Sequence, residues 1–305
     1  MIVEESLPVF QLSGGTERQR RDFIQRLMPA LEDRLLCCTF LKRAECRNQY
    51  SILSLAKLYD LVFVDTEPTF PVQQINICNR EKSVQQGLVW TGGDDLAMQG
   101  FIDCLVEKLD TLVLQNPVWG CILIGGKSSR MGRPKHLIKD ENNITWLEKT
   151  TETLRPLVGG LVVSGSGTLP DKLKGTVRLP DVPGVAGPLN GILAAGRWQP
   201  MVTWILIACD MPHITAEAIR WLLSGRRAGC WGRVPRLRGN RHPEPLFAWY
   251  DFRASQLFEQ QFYEGNLRIG DAALHPKIDN PVIPEPLRYD WQNINTPEQL
   301  GAVPG

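Results

Sequence analysis

Apolar residues fall in this chain either in compact runs or in a spaced, helical rhythm. LPVFQL (7–12), LLCCTFL (35–41) and DLVFVD (60–65) are runs of strand length bounded by polar residues. After the first of them, Phe23, Ile24, Leu27, Met28 and Leu31 recur at spacings of three and four, which predicts a helix ending near Arg34. A further helix is expected at about 95–109. Strand, helix and strand in alternation imply a parallel sheet with crossover helices. Residues 110–118, DTLVLQNPV, read as a short linker, because Pro117 discourages a helix from running through it.

The pattern then repeats. Cys121-Ile122-Leu123-Ile124 has the character of a buried parallel strand, and a helix is expected over Thr145–Leu154. Leu161-Val162-Val163 follows as a strand, and Gly187-Pro188 opens another helix with proline in its first turn. Val202 to Ala208 reads as a central strand, 215–224 as a helix, 229–234 as a strand and 251–263 as a helix, with a further helical stretch in NLRIGDAALH. Two α/β domains are expected, over 1–115 and 118–305.

Composition adds exclusions. The 305 residues are 43% hydrophobic and 22% charged, with a net charge of +1. Near-neutral charge without basic runs interleaved with aromatics argues against a nucleic-acid surface. No apolar run approaches the ~20 residues of a membrane span. The start, MIVEESLPVF, is too acidic for a signal peptide. Eight scattered cysteines with no C-x-x-C pair suit a reduced, cytoplasmic protein.

The chemistry concentrates at the ends of strands. In GCILIGGKSSRMGRPKHLI (120–138), paired Gly125 and Gly126 after a strand allow close backbone approach to a ligand, and Lys127, Arg130 and Lys135 suit a polyphosphate. A surface turn with solvated cations would read the same way. Asp210, at the tip of the 202–208 strand, is placed either to hold Mg²⁺ or to cap the helix that begins near Thr215. Asp181 lies in a turn-forming stretch, where a structural turn is its alternative role. Asn293 and Asn295 alternate, so in a strand both face one side. Arg233, Arg236, Arg238 and Arg241 form a basic group that is either a solvated loop or a contact for an anionic substrate.

Leu123, Gly125, Gly126, Ser128, Arg130, Met131, Gly132 and Lys135 fill every fixed position of L-x-G-G-x-S-x-R-M-G-x-x-K. This resembles the signature of nucleotidyltransferases that cap a phosphorylated metabolite, most closely the molybdenum cofactor guanylyltransferases. Asp181, Gly187, Pro188, Leu189 and Gly191 resemble a second block of that family, Cys209-Asp210-Met211-Pro212 a third, and Asn293 to Glu298 a closing Asn-x-Asn-Thr-Pro-Glu motif. Ser164-Gly165-Ser166-Gly167 departs from the family, which usually has asparagine there. The resemblance spans about 118–301 and implies a Rossmann-like, mostly parallel sheet. It implies GTP and the molybdopterin cofactor as substrates, with Mg²⁺ on Asp210. Arg130, Lys135 and Asp210 would be catalytic. Leu123, Ile124, Gly125, Gly126, Lys135, Asp181, Asp210, Asn293 and Asn295 would contact the ligands. Cytidyl-using relatives commonly carry Ala-Ala-Gly where this chain has Ile124-Gly125-Gly126, which leans the base toward guanine. A cytidylyltransferase for the same cofactor and a non-catalytic cofactor carrier are the alternatives. Docking to cofactor-accepting molybdoenzymes or their chaperones would follow from the same resemblance.

The first domain resembles the small P-loop GTP-binding partner of that reaction. Tyr59 to Asp65 matches its second strand, but Ser13-Gly14 runs into Gly15-Thr16-Glu17-Arg18 with no Gly-Lys-Ser/Thr. A degenerate P-loop-like domain that neither binds nor hydrolyses GTP is therefore expected.

Overall fold

The computed structural model describes residues 7–45, 49–78, 87–125, 134–296 and 299. The chain forms two compact units, Met1–Asn116 with Arg226–Gly229, and Pro117–Gly225 with Cys230–Gly305. Among the described residues, no helix is long and apolar enough to cross a membrane.

The first unit is built on β1 (Val9–Gly14), β2 (Cys38–Leu41), β3 (Leu61–Val64), β4 (Gln73–Ile77) and β5 (Leu88–Trp90). They form a parallel sheet in the order β2-β3-β1-β4-β5. Helix α1 (Glu17–Glu32) starts in a reciprocal cap. The Thr16 hydroxyl accepts from the Gln19 N–H at 3.2 Å, and the Gln19 amide oxygen accepts from the Thr16 N–H at 2.8 Å. Phe23, Ile24, Leu27 and Leu31 bury the expected face, and Met28 packs on it partly buried. Helix α2 (Gln49–Ala56) packs on β3.

Helix α3 (Asp95–Gln115) corrects one expectation, because residues 110–115 are helical rather than a linker. Leu105, Leu109, Leu112 and Val113 continue a single buried face, and that burial carries the helix to its last turn. Pro117 acts only on Asn116, which is extended at ψ 128 and caps the helix.

The strand order reverses at β1, which makes the tip of β1 the place where such a sheet would receive a ligand. Here the chain fills that place itself. The Arg20 guanidinium donates to the carbonyls of Gly14 (2.9 Å) and Gly15 (3.1 Å) and to Asp65 Oδ1 (2.5 Å). A phosphate loop turns N–H groups toward its ligand; this loop turns carbonyls toward a cation of its own chain.

The second unit holds a seven-stranded sheet, in the order β12-β10-β11-β9-β6-β7-β8. Its strands are β6 (Val118–Leu123), β7 (Gly160–Ser164), β8 (Val177–Leu179), β9 (Thr203–Ala208), β10 (Gly232–Arg233), β11 (Phe247–Tyr250) and β12 (Ile278–Asp279). β6 to β9 run parallel, and β11 is antiparallel to β9 and β10. Strand alternation sends Cys121, Trp204 and Leu206 to one face, where α5 (Pro188–Trp198) and α7 (Ser255–Tyr263) cover them. Ile122, Ile205 and Ile207 point to the other, under α4 (Trp146–Leu154) and α6 (Ala216–Leu223). Both faces are sealed, so the strand tips remain the place to build a site.

Candidate active site

The C-terminal tips of β6, β7 and β9 bring four segments together. β6 and β9 are in register at Leu123 and Ala208, and the Cys209 N–H donates to the Leu123 carbonyl at 3.0 Å. This delivers Asp210 just beyond a buried strand. Ile294 is buried and its N–H donates to the Asp210 carbonyl at 2.9 Å, laying the closing segment across the same tip. Pro134 leads into a 3₁₀ turn, Lys135–Leu137, whose His136 is buried while Lys135 stands free to reach across.

The result is a trio. The Lys135 ammonium donates to Asp210 Oδ2 at 2.9 Å and to Asn295 Oδ1 at 2.6 Å. The Lys135 and Asp210 side chains are 15% and 23% exposed, sheltered enough to strengthen the attraction and open enough to be reached. Asn295 is anchored in turn, since the Gln299 amide oxygen accepts from the N–H groups of Asn295 (2.6 Å) and Thr296 (3.2 Å). Neighbouring Cys209 is buried, and burial, with the Asp210 carboxylate beside it, pushes its thiol up to about 12. It stays a neutral thiol that does not compete as an anion.

The helix-cap alternative for Asp210 is removed. Thr215 caps α6: its hydroxyl accepts from the Ala218 N–H at 3.2 Å and donates to Asp290 Oδ1 at 2.6 Å. Asn293 and Asn295 are exposed and flank buried Ile294, but lie outside any ladder strand. Leu123 ends β6, Ile124 is buried, and Gly125 turns the chain at φ 120. Asp181 is not part of the trio; it is exposed on the loop before α5. Gly126 and Arg130 lie outside the described residues. Arg233 is committed internally, to Asp279 at 2.9 Å and the Trp221 carbonyl at 3.1 Å.

Sequence reading passed over His136, Arg178 and Asn190, which brace this site. His136 Nε2 lies 3.0 Å from the Thr168 carbonyl, and Arg178 on β8 donates to the Gly165 carbonyl through Nε (3.0 Å) and Nη2 (2.7 Å). Asn190 on α5 ties down the preceding loop by accepting from the Val182 N–H at 3.0 Å and donating to the Val185 carbonyl at 2.9 Å. Gly191 lets α5 press onto Leu123 and Ser164, since a side chain there would overlap Leu123. Gly165 has φ 115, and a Cβ there would overlap the Ile124 carbonyl oxygen. Gly165→Ala is therefore expected to destabilise the second unit by about 3 kcal/mol, visible as a lower denaturation midpoint with the first unit's transition unchanged.

The model of the MobA-like NTP transferase domain matches residues 120–269. The molybdenum cofactor guanylyltransferase of Rhizobium meliloti is 34% identical over 194 residues, 59% of this chain and 87% of that one. The chain belongs to the MobA-like NTP transferase family. Another relative, the molybdenum cofactor biosynthesis bifunctional protein of Synechocystis sp., is 29% identical over 207 residues, 63% of this chain. The match spans 55% of that bifunctional protein, about half its length. Among solved structures, molybdopterin-guanine dinucleotide biosynthesis protein A of Archaeoglobus fulgidus has a TM-score of 0.50 and 25% identity, over 60% of this chain and 95% of that chain. The MobA-like match takes in Lys135 and Asp210 of the trio, while Asn295 lies beyond it.

Proposed function

We propose that the second unit transfers GMP from GTP to the phosphate of the molybdopterin cofactor, releasing pyrophosphate. The observation that carries this reading is the convergence of Lys135, Asp210 and Asn295 at the tip of a central strand within a MobA-like domain. A phosphate oxygen of the cofactor attacks the α-phosphorus of GTP, and the bond to the bridging oxygen breaks, so pyrophosphate leaves. The phosphate nucleophile is already ionised and needs no general base. Lys135 gives the triphosphate a fixed positive charge where negative charge accumulates on the departing oxygens. Gly125 lets the backbone approach the nucleotide.

The residues present suit Mg²⁺. Two hard oxygen donors, from Asp210 and Asn295, already converge on a positive charge, and Mg²⁺ asks only one or two carboxylates of a protein beside substrate phosphates. Held by Asp210, it would supply Lewis-acid charge neutralisation.

The first unit, residues 1–115 in this reading, is a degenerate P-loop-like module that docks a partner, such as a cofactor-accepting enzyme or its chaperone, in the cytoplasm. Arg20 and Asp65 occupy its nucleotide crevice with an internal ion pair. Calorimetric titration of the full chain with Mg-GTP is expected to give one site per chain; two sites would contradict this reading of the first unit. Pyrophosphate release, measured with the molybdopterin cofactor, Mg²⁺ and each of the four nucleoside triphosphates in turn, tests the transferase. GTP is expected to be preferred by at least tenfold, and preference for CTP would replace guanylyl by cytidylyl transfer.

A further inference from the structure

We infer that Asp290 is a positioning residue for the transfer reaction: its carboxyl holds the closing segment to the loop after Asp210, so that Asn295 arrives beside Lys135. This rests on the transferase reading above. Lys135, Asp210 and Asn295 come from three separate stretches of chain. The last of these stretches has no regular structure to guide it, since residues 292–295 belong to no strand or helix. Side chains and single hydrogen bonds have to set its course.

The polar fastening comes first. Asp290 lies in the 3₁₀ helix Glu285–Trp291 and is buried. Its Oδ1 accepts from the Thr215 N–H at 2.7 Å and from the Thr215 hydroxyl at 2.6 Å. Thr215 caps α6 at the far end of the loop that leaves Asp210, so this one oxygen joins the two segments that carry the oxygen donors of the site. A buried carboxyl is costly unless it accepts hydrogen bonds. Burial pushes the Asp290 pKa up, and the two Thr215 donors pull against that shift.

Apolar contacts follow. Trp291 stacks on Phe247 with ring centres 4.4 Å apart, and its Nε1 donates to the Phe247 carbonyl at 2.9 Å. Ile294 then joins Ile138 and Trp146 in a small buried cluster, while its N–H donates to the Asp210 carbonyl at 2.9 Å. Ile138 directly follows the turn that carries Lys135, so all three members of the trio meet around Ile294. Apolar contact is non-directional and presses the segment down without setting its register. The hydrogen bonds at Asp290 set that register where the segment begins. Asp290 acts through the segment, not at the reacting phosphorus.

The test is a set of variants in the full-length chain. Asp290→Ala frees the start of the segment and should lower kcat/KM for GTP about 10–100-fold, the scale of a displacement of about 1 Å at the site. Asp290→Asn keeps the accepting oxygen without the charge and should stay within about threefold of the parent. Thr215→Ala is a milder cut that leaves the backbone N–H donor in place, and it should cost about 3–10-fold. A residue that acts through Asn295 has nothing left to position once that side chain is gone. In an Asn295→Ala background, Asp290→Ala should therefore add less than about twofold. Hydrogen exchange at the Ile294 amide, which needs no turnover, should quicken in Asp290→Ala and return toward the parent in Asp290→Asn. Activity of both alanine variants within about twofold of the parent overturns the inference. So does an asparagine variant as damaged as Asp290→Ala, or a loss that carries over in full to the Asn295→Ala background. If the unaltered chain transfers no nucleotide, the transferase reading fails and takes this inference with it, a result separable from an active parent with unaffected variants.

Discussion

Replacing Asp210 with alanine is expected to lower the transfer rate by about 10²–10³-fold, the usual cost of removing one preorganised electrostatic stabiliser. The argument starts from the register of β6 and β9, which puts Asp210 two residues beyond the end of a packed pair of strands. Its side chain caps no helix, because Thr215 does that work for α6. It packs no core, being 23% exposed. Its visible partner is the Lys135 ammonium. Alanine should therefore leave the fold intact by circular dichroism and thermal melting while removing the carboxylate that charge-balances the site. Asp210→Asn, which keeps shape and loses charge, should be nearly as damaging. Activity within a few-fold of the parent in either variant would sink the assignment.

Lys135→Ala is expected to reduce kcat/KM for GTP by roughly 10²-fold or more, since a charge-assisted contact to phosphate is lost. The same substitution leaves the Asp210 carboxylate and the Asn295 amide oxygen without the ammonium that joins them. Lys135 and Asp210 share one contact, so their effects should not add: the double variant should lose far less than the product of the two single losses. A fully multiplicative loss, measured in the same assay, would mean that the pair does not act as a unit.

How far the chain could be read in advance differs between its parts, for physical reasons. Leu61–Val64 is apolar and buried throughout, and Thr203–Ala208 is apolar but for Thr203 and buried almost to its end, so both read directly as strands. β4 could not be read that way. Its residues, QQINI, are mostly polar, and it is held by cross-strand pairs such as Gln74 on Gln11 at 2.7 Å and Ser13 on Asn76 at 2.5 Å. Such pairing depends on a register that only the folded sheet sets. β8 is similar: three residues at an edge, two of them exposed. The expected strand at 229–234 shortens to Gly232–Arg233, the residues in ladder register with both β11 and β12.

In the site, Lys135, Asp210 and Asn295 were legible because each sits in a local motif, and the structure brings them within hydrogen-bond reach of one another. Asp181, read from the same kind of motif, stands exposed on a separate loop. Arg178 and His136 carried no signal at all. Arg178 matters through the pairing of β8 with β7, and His136 through a carbonyl 32 residues further along the chain.

The most direct measurement follows the label rather than the rate. The full-length chain is incubated with Mg²⁺, the molybdopterin cofactor and GTP labelled at the α-phosphorus. Guanylyl transfer predicts that the α label appears in the cofactor product, joined to guanosine, with one pyrophosphate released for each label transferred. Label recovered only in GTP, or released as GMP without incorporation into the cofactor, would contradict the account.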